Sequence, residues 1–140
     1  MNGNDFMSWV LRSPFHKLLS GGMMLITVTG RKTGRKFTTP VGFYEKDDHL
    51  WVLTTRNRTW WKNLQDGAEV ELFLRHNQVF AYAEPELDQR SVEVRLVEYL
   101  GYVPRAAKPL GIRIQDRIPY PEDISRVARE RLFVKFKLSK

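Results

Sequence analysis

The chain has 140 residues, of which 42% are hydrophobic and 28% are charged, and these globular values exclude wholesale disorder. It contains no cysteine, which excludes disulfides, thiolate metal sites and a cysteine nucleophile and suits a reducing compartment. The formal net charge of +7 predicts an anionic partner, and nucleic acid, an acidic membrane surface or a phosphorylated small ligand would each satisfy it.

The first 22 residues predict a helical segment that packs on the core. Apolar residues recur at helical spacing, Ser13-Pro14 interrupts them, and Gly21-Gly22 ends the unit. Asp5 stands where a signal peptide carries cations, and no stretch reaches the 18 apolar residues of a membrane span. We therefore expect one cytoplasmic domain, residues 1–140, without a membrane span.

Residues 23–85 predict a five-stranded core. MMLITVT (23–29) is typical of a strand buried on both faces, and residues 36–45 form its hairpin partner, at a sheet edge because Pro40 cannot donate a ladder hydrogen bond. Thr59 is expected to cap one or two helical turns at 60–64. The other predicted features are strands at 49–55, 68–75 and 78–84, a turn at His76-Asn77, and Pro85 as the end of the last strand.

Residues 86–130 predict a helical excursion before a last strand at 131–138. Asp88 is expected to cap a helix that runs to about Leu100, with Gly101 as its stop. Four prolines make residues 102–121 irregular, and Pro121 opens a short helix with acidic residues in its first turn. The pattern predicts a mainly β protein, with flanking helices, whose six antiparallel strands close into a small barrel.

Catalytic side chains of the common kinds are missing from the sequence. His16, His49 and His76 stand far apart, no serine lies in a GxSxG motif, and Glu69 and Glu71 are expected to be solvent-facing alternates on one strand. We therefore assign no catalytic residue and no metal ligand. If the protein is an enzyme, a cofactor carries the reactivity.

The stretch TGRKTGRK (29–36) concentrates four cations around two glycines between two predicted strands. Glycines allow close approach of backbone amides, and arginine donors match phosphate or carboxylate geometry. The alternative is a solvated hairpin turn whose cations prevent edge pairing. The stretch TTRNRTWWKN (54–63) adds cations beside two tryptophans, which favours a flat ligand with an anionic tail, or equally single-stranded nucleic acid.

These motifs in this order resemble the deazaflavin-dependent nitroreductase and quinone reductase family, of the flavin-binding split β-barrel superfamily. The resemblance rests on an apolar strand, T-G-R-K-T-G, Pro40, and then W-W-K-N-L before a glycine, and it covers about residues 23–85. It implies a split barrel that binds coenzyme F-420, with FMN as the alternative cofactor. It also implies hydride transfer to a small conjugated acceptor such as a quinone or nitro compound.

The resemblance also implies a cofactor site. Three segments of that site would hold the anionic tail, line the ring and meet the phosphate, and the short helix would close it. The implied residues are Arg31, Lys32 and Thr33 for the tail, Thr38, Thr39 and Pro40 for the ring, Thr54, Thr55, Arg56 and Asn57 for the phosphate, and Trp60, Trp61 and Asn63 for closure.

Three departures from the family pattern bear on this implication. The loop before the tryptophans is only RNRT, and Phe37 replaces a basic residue of the second strand, so both cofactors stay open. Residues 102–130 lack a clear counterpart of the family's tyrosine-bearing part, which leaves the acceptor unassigned.

Two other functions remain open from the sequence, namely a cofactor carrier without turnover and a basic barrel that binds nucleic acid, the latter being disfavoured. A homodimer is expected because split-barrel proteins usually dimerise, and the outward Phe80 and Tyr82 suit an interface. Burial in the same dimer is the expected explanation for Phe73 and Phe133 on their strands.

Overall fold

The computed structural model describes residues 22–139, so the predicted N-terminal helical segment lies almost entirely outside the described residues. The strands are β1 (Met23–Thr29), β2 (Lys36–Gly42), β3 (Tyr44–Lys46), β4 (His49–Thr55), β5 (Ala68–Leu74), β6 (Asn77–Glu86), β7 (Ile114–Gln115), β8 (Ile118–Pro119) and β9 (Arg131–Leu138). Seven of them form one antiparallel sheet in the order β2-β1-β5-β6-β9-β4-β3, and β7 and β8 form a separate hairpin.

The sheet curls into a half-barrel because its two outermost strands are neighbours in the chain. β2 lies at one end of the sheet and β3 at the other, yet Phe43 alone separates them in sequence. The predicted single strand 36–45 is therefore wrong in detail. The chain changes partner at Phe43, from β1 to β4, so the sheet has seven strands rather than six. The mainly β split-barrel class is confirmed.

The concave side of the sheet encloses the main core. In β1 the side chains of Met24, Ile26 and Val28 are buried on this side, and β5, β4 and β9 contribute alternating apolar residues in the same way. Both tryptophans of the short 3₁₀ helix Trp60–Leu64 join this core at 5% exposure each. We call this helix the tryptophan segment.

Helices cover the convex side of β4 and β9. They are α1 (Gln89–Tyr102), α2 (Ala107–Leu110) and α3 (Pro121–Glu130). Trp51 and Phe133 pack beneath them with Leu96 of α1 and Val127 of α3. Phe133 is fully buried within this chain, and Phe73 is 8% exposed, so assigning their burial to a dimer was wrong.

Helix α1 begins where it was predicted to begin but ends later. The Asp88 carboxylate accepts the Ser91 N–H at 3.0 Å, which confirms the predicted cap. Gly101 is inside the helix rather than its stop, because the last turn closes through Val103 N–H to Tyr99 O at 2.8 Å. A glycine near a helix end costs only about 1 kcal/mol relative to alanine, which tertiary packing offsets.

Three further predictions, of a helix cap, a turn and a strand end, are also corrected. The Thr59 side chain makes no capping hydrogen bond, since its backbone is already helical; its carbonyl accepts the Lys62 N–H instead. The β5–β6 turn lies at Arg75-His76, both with positive φ, as twisted two-residue hairpins require. Pro85 does not end β6. The pairing of β6 with β5 stops at Ala83, but Pro85 still pairs with β9 on the other side.

Candidate functional site

A cleft opens where the barrel is split, between β2 and β4. β2 has β1 as its single strand partner, and β4 pairs with β3 only as far as Trp51. Within the described residues, the edges of Thr39–Gly42 and Val52–Thr54 therefore face this gap without a strand partner. Unpaired strand edges present backbone N–H and C=O groups that a ligand can use.

The cleft has a volume of about 210 Å³. Its wall combines two strand edges with one aromatic and one cationic side chain, supplied by Trp60 and Arg58. The lining residues are Thr39, Pro40, Val41, Gly42, Val52, Leu53, Thr54, Arg58 and Trp60. Among these described residues Arg58 is the one that carries a charge at neutral pH, so the cleft favours an anionic or electron-rich group.

The basic turn contacts the tryptophan segment directly. Arg31 donates its backbone N–H to the Asn63 side-chain oxygen at 3.0 Å, and its guanidinium donates to the Gln65 carbonyl oxygen. Asn63 is held in turn by a bond from its Nδ2 to the Thr59 carbonyl oxygen at 3.3 Å. The two motifs singled out in the sequence therefore lie side by side, at the C-terminal end of the tryptophan segment.

The turn itself leaves part of its polar surface available. Gly30, Gly34 and Arg35 use their backbone N–H groups within the turn, whereas those of Lys32 and Thr33 find no acceptor among residues 22–139. Gly34 has a φ of +71°, which favours glycine. Lys32 and Arg35 are exposed and form no ion pair in the part of the chain that the structure describes. The turn thus offers two amides and two free cations.

The two tryptophans have different positions. Trp60 lines the cleft with part of its surface and packs into the core with the rest. Trp61 belongs to the core and donates its Nε1–H to the Thr55 carbonyl oxygen at 3.1 Å, with the Lys62 ammonium 5.9 Å from its ring centroid. Of the two tryptophans, Trp60 is therefore the one placed to contact a ligand in the cleft.

The residues after β4 divide between structure and site. Thr54 is buried against the cleft, and Thr55 donates its hydroxyl to Asn57 Oδ1 at 2.7 Å. Arg56 turns away from the cleft. Its guanidinium donates to the carbonyl oxygens of Leu87 at 2.9 Å and Ala128 at 3.1 Å, at the C-terminal end of α3. The structure does not bring Arg56 to the cleft.

Thr38 also lies away from the cleft. Its hydroxyl is 2.8 Å from that of its cross-strand partner Thr27, which alternates with the inward Ile26 and Val28. Thr39 and Pro40, by contrast, border the cleft. Five residues that line the cleft were not predicted, namely Val41, Gly42, Val52, Leu53 and Arg58. The signal for the first four is the gap between two strand edges, which needs the strand order.

Three titratable groups with shifted pKa values lie on the other side of β4, on or beneath α1. Burial raises the pKa of Glu86, and burial followed by the nearby Glu98 carboxylate raises the pKa of Tyr44. Burial opposes ionisation of Glu98, but hydrogen bonds from Lys46 and Arg95 lower its pKa below the ordinary value. None of these residues lines the cleft, so they supply no acid or base there.

Comparison with protein families assigns this architecture. The family model described as F420H(2)-dependent quinone reductase matches residues 13–114, more than two thirds of the chain. The chain belongs to this quinone reductase family. The match includes the basic turn, both cleft edges and the tryptophan segment. The comparison with curated proteins gives no significant match.

Solved structures support the fold assignment of this family member. A protein from Listeria innocua described as a candidate pyridoxamine 5′-phosphate oxidase aligns with a TM-score of 0.57 and 11% identity, over 99% of this chain and 95% of that chain. The heme storage protein HutZ of Vibrio cholerae gives 0.56 and 10%, over 91% and 90%. The FAD and heme binding protein of Mycobacterium smegmatis gives 0.52 and 16%, over 91% and 72%. At these identities the likeness shows the fold alone.

No helix in the described part of the chain is long and apolar enough to cross a membrane.

Proposed function

We propose that this protein binds coenzyme F-420 in the β2–β4 cleft and transfers a hydride from its reduced form to a quinone or another conjugated acceptor. FMN is the alternative cofactor. The observation that carries the proposal is the cleft itself, because two unpaired strand edges, Trp60 and Arg58 converge there while the basic turn lies one short helix away. Membership of the quinone reductase family supports the reaction class.

The cleft residues fit the edge of a flat ring system. A ring edge with alternating donors and acceptors can pair with the free N–H and C=O groups of both strands, while the Trp60 indole offers an apolar surface. Pro40 has no N–H, so the chain presents mainly acceptors at that point of β2. The volume of about 210 Å³ is smaller than a typical pocket for a whole cofactor, so it holds the ring rather than the tail.

The basic turn fits the anionic tail. The tryptophan segment has five residues, which span about 10 Å at 3₁₀ rise, and this separates Trp60 in the cleft from the Gln65 carbonyl that Arg31 contacts. The free amides of Lys32 and Thr33 and the cations of Lys32 and Arg35 would hold a phosphate and carboxylate tail that leaves the cleft on this side. Arg31 holds the turn in place for that contact.

The work of the protein in this proposal is binding, orientation and exclusion of water. The bound deazaflavin or flavin supplies the hydride chemistry itself. Thr39, Thr54 and Trp60 would hold the ring, and Val41, Val52 and Leu53 would exclude water from the cleft. Stacking two flat reactants at contact distance then requires no ionising side chain. This agrees with a cleft in which no acidic residue or histidine of the described chain is present.

Turnover tests the proposal. The purified protein is mixed anaerobically with reduced F-420 and a soluble quinone, and reoxidation of the cofactor is followed by absorbance. We expect reoxidation that depends on protein and saturates with quinone. A parallel titration with FMN decides between the cofactors. Tight binding of either without turnover would assign the protein as a carrier, and absence of binding to both would refute the site.

A homodimer is part of the proposal. Phe80 and Tyr82 project from one face of β6 at 51% and 42% exposure. Ala81 and Ala83, which alternate with them, are buried on the opposite face. A second copy is the occupant that the fold class favours for such a face. Sedimentation equilibrium is expected to give twice the chain mass, and Phe80→Ser with Tyr82→Ser to give the chain mass. A monomeric parent at micromolar concentration contradicts the dimer.

A further inference from the structure

The loop that joins the tryptophan segment to β5 has an unusual backbone. Asp66 has a φ of +69° and Gly67 a φ of +87°, and the Gly67 N–H donates to the Leu64 carbonyl oxygen at 2.9 Å. A left-handed position is easy for glycine but strained for most other residues, so such a loop persists when contacts from outside hold it. We call residues 65–67 the linking loop.

Tyr82 of β6 packs directly on the linking loop. Its cross-strand partner is Glu69, so Gly67 occupies a diagonal position within reach of the ring. A Cβ atom at residue 67 would overlap both the hydroxyl oxygen and the ring of Tyr82. The Tyr82 O–H also donates to the Asp66 carbonyl oxygen at 3.5 Å, which is a long hydrogen bond. Glycine at residue 67 therefore lets the ring lie against the loop backbone.

A cavity of about 380 Å³ borders the same loop. It lies where the pairing of β5 with β6 stops, beyond Ala68 and Ala83. The lining residues are Gln65, Asp66, Gly67, Glu84, Pro85 and Leu87. Because this volume is empty of side chains, it gives the linking loop room to move once the Tyr82 ring is removed.

The linking loop is also a contact point of the basic turn. The Gln65 carbonyl oxygen accepts a hydrogen bond from the Arg31 guanidinium, and the Arg31 N–H donates to the Asn63 side-chain oxygen at 3.0 Å. Arg31 directly precedes Lys32 and Thr33, which carry the free amides of the turn. A shift of the Gln65 carbonyl therefore changes the position of the groups assigned to the anionic tail.

We propose that Tyr82 is a positioning residue of the tail site. Its ring holds the linking loop, the loop presents the Gln65 carbonyl oxygen to Arg31, and Arg31 holds the turn that receives the tail. The ligand in this role is the cofactor of the proposed function, on which the role depends. Phe80 shares the exposed face of β6 but pairs with Glu71, further from the loop, so Phe80→Ala is the matched control for Tyr82→Ala.

Hydrogen exchange of the cofactor-free protein tests the first step. The Arg31 backbone N–H bonds to Asn63 while the turn lies against the tryptophan segment, so its exchange rate reports that contact. We expect this amide to exchange about fivefold faster in Tyr82→Ala than in the parent, and at the parent rate in Phe80→Ala. Tyr82→Phe keeps the ring on Gly67 and should also exchange at the parent rate.

Cofactor titration tests the second step. F-420 is compared with the same deazaflavin ring without its phosphate and glutamate tail. Tyr82→Ala should raise the Kd of F-420 about fivefold and leave that of the ring unchanged, because the turn contacts the tail alone. Gly67→Ala is an independent variant, since its methyl group displaces the Tyr82 ring. It should show the same two changes, with a lower thermal stability from alanine at a φ of +87°.

The outcomes separate this role from the proposed function. Exchange of the Arg31 amide at the parent rate in Tyr82→Ala overturns the proposal, as does an unchanged affinity for F-420 or an equal loss for F-420 and the ring. Equal effects in Phe80→Ala would assign the change to the exposed face of β6 and overturn it as well. If the parent binds no F-420, the proposed function fails, and the exchange rate alone decides whether Tyr82 holds the turn.

Discussion

Arg56 and Arg58 lie two residues apart in the loop after β4, and the structure gives them different tasks. Arg56 binds the carbonyl oxygens of Leu87 and Ala128, and so links this loop to the start of α1 and the end of α3. Arg58 is exposed and lines the cleft. Replacing each by methionine keeps an unbranched apolar stem and removes the guanidinium, so the two variants form a matched pair.

Arg56→Met should destabilise the protein. It removes two hydrogen bonds from a charged donor, each of which contributes about 1.5–3 kcal/mol, and leaves two carbonyl oxygens without this partner. Water can replace part of the bond to the Leu87 carbonyl oxygen, because Leu87 is 37% exposed. We therefore expect the free energy of unfolding to fall by about 2–4 kcal/mol. The affinity of the folded protein for F-420 should change little.

Arg58→Met should leave the stability of the protein almost unchanged and weaken its binding of F-420. An exposed side chain without a structural partner changes the free energy of unfolding by less than about 0.5 kcal/mol. Loss of one charge-assisted contact with the anionic cofactor should cost about 1–2 kcal/mol of binding, which is a rise in Kd of about 5–30-fold.

Two measurements check this pair. Urea unfolding followed by tryptophan fluorescence gives the stability of each variant, and titration with F-420 gives its Kd under conditions in which the variant is folded. The reasoning is refuted if Arg56→Met keeps the parent stability and loses affinity. It is refuted equally if Arg58→Met unfolds easily and binds F-420 like the parent.

Two further predictions concern the helical layer. Leu96→Ala, at a fully buried position of α1, should lower the free energy of unfolding by about 2–5 kcal/mol, whereas Val94→Ala on the exposed face should change it by less than about 0.5 kcal/mol; similar losses in denaturant titrations would contradict the assignment of the buried face. Hydrogen bonds from Arg113 lower the pKa of Asp123 from 3.8 to about 2, so this contact stabilises the fold above about pH 4 and is lost as the pH falls towards 2. Asp123→Asn should therefore flatten the dependence of stability on pH in that window, and a parent-like acid transition in the variant would count against the pair.

Local periodicity predicted the strands well where one partner accompanies a strand over its whole length. MMLITVT becomes β1 with the predicted bounds, and RLFVKFKL becomes β9 in the same way. The break at Phe43 was not predictable from periodicity, because alternation continues unchanged from Phe37 through Thr39, Val41 and Phe43. The break depends on a change of strand partner, which is a long-range property of the sheet.

The candidate site was predictable in its segments but not in each of its residues. The family resemblance pointed to the basic turn and the tryptophan segment, and the structure brings them into contact through Arg31 and Asn63. It assigned Arg56 to the phosphate and did not name Arg58, whereas the structure places Arg58 at the cleft and turns Arg56 away from it. The acceptors that turn Arg56 away lie 31 and 72 residues further along the chain, where local sequence carries no signal for them.

The most direct test of the central claim compares F-420 with the same deazaflavin ring lacking the phosphate and glutamate tail. If cleft and turn form one site, F-420 should bind more tightly than the bare ring, and Lys32→Ala should weaken F-420 binding about 5–10-fold while leaving binding of the ring unchanged. Equal affinities for the two ligands, or a Lys32→Ala variant that binds F-420 like the parent, would contradict a shared site.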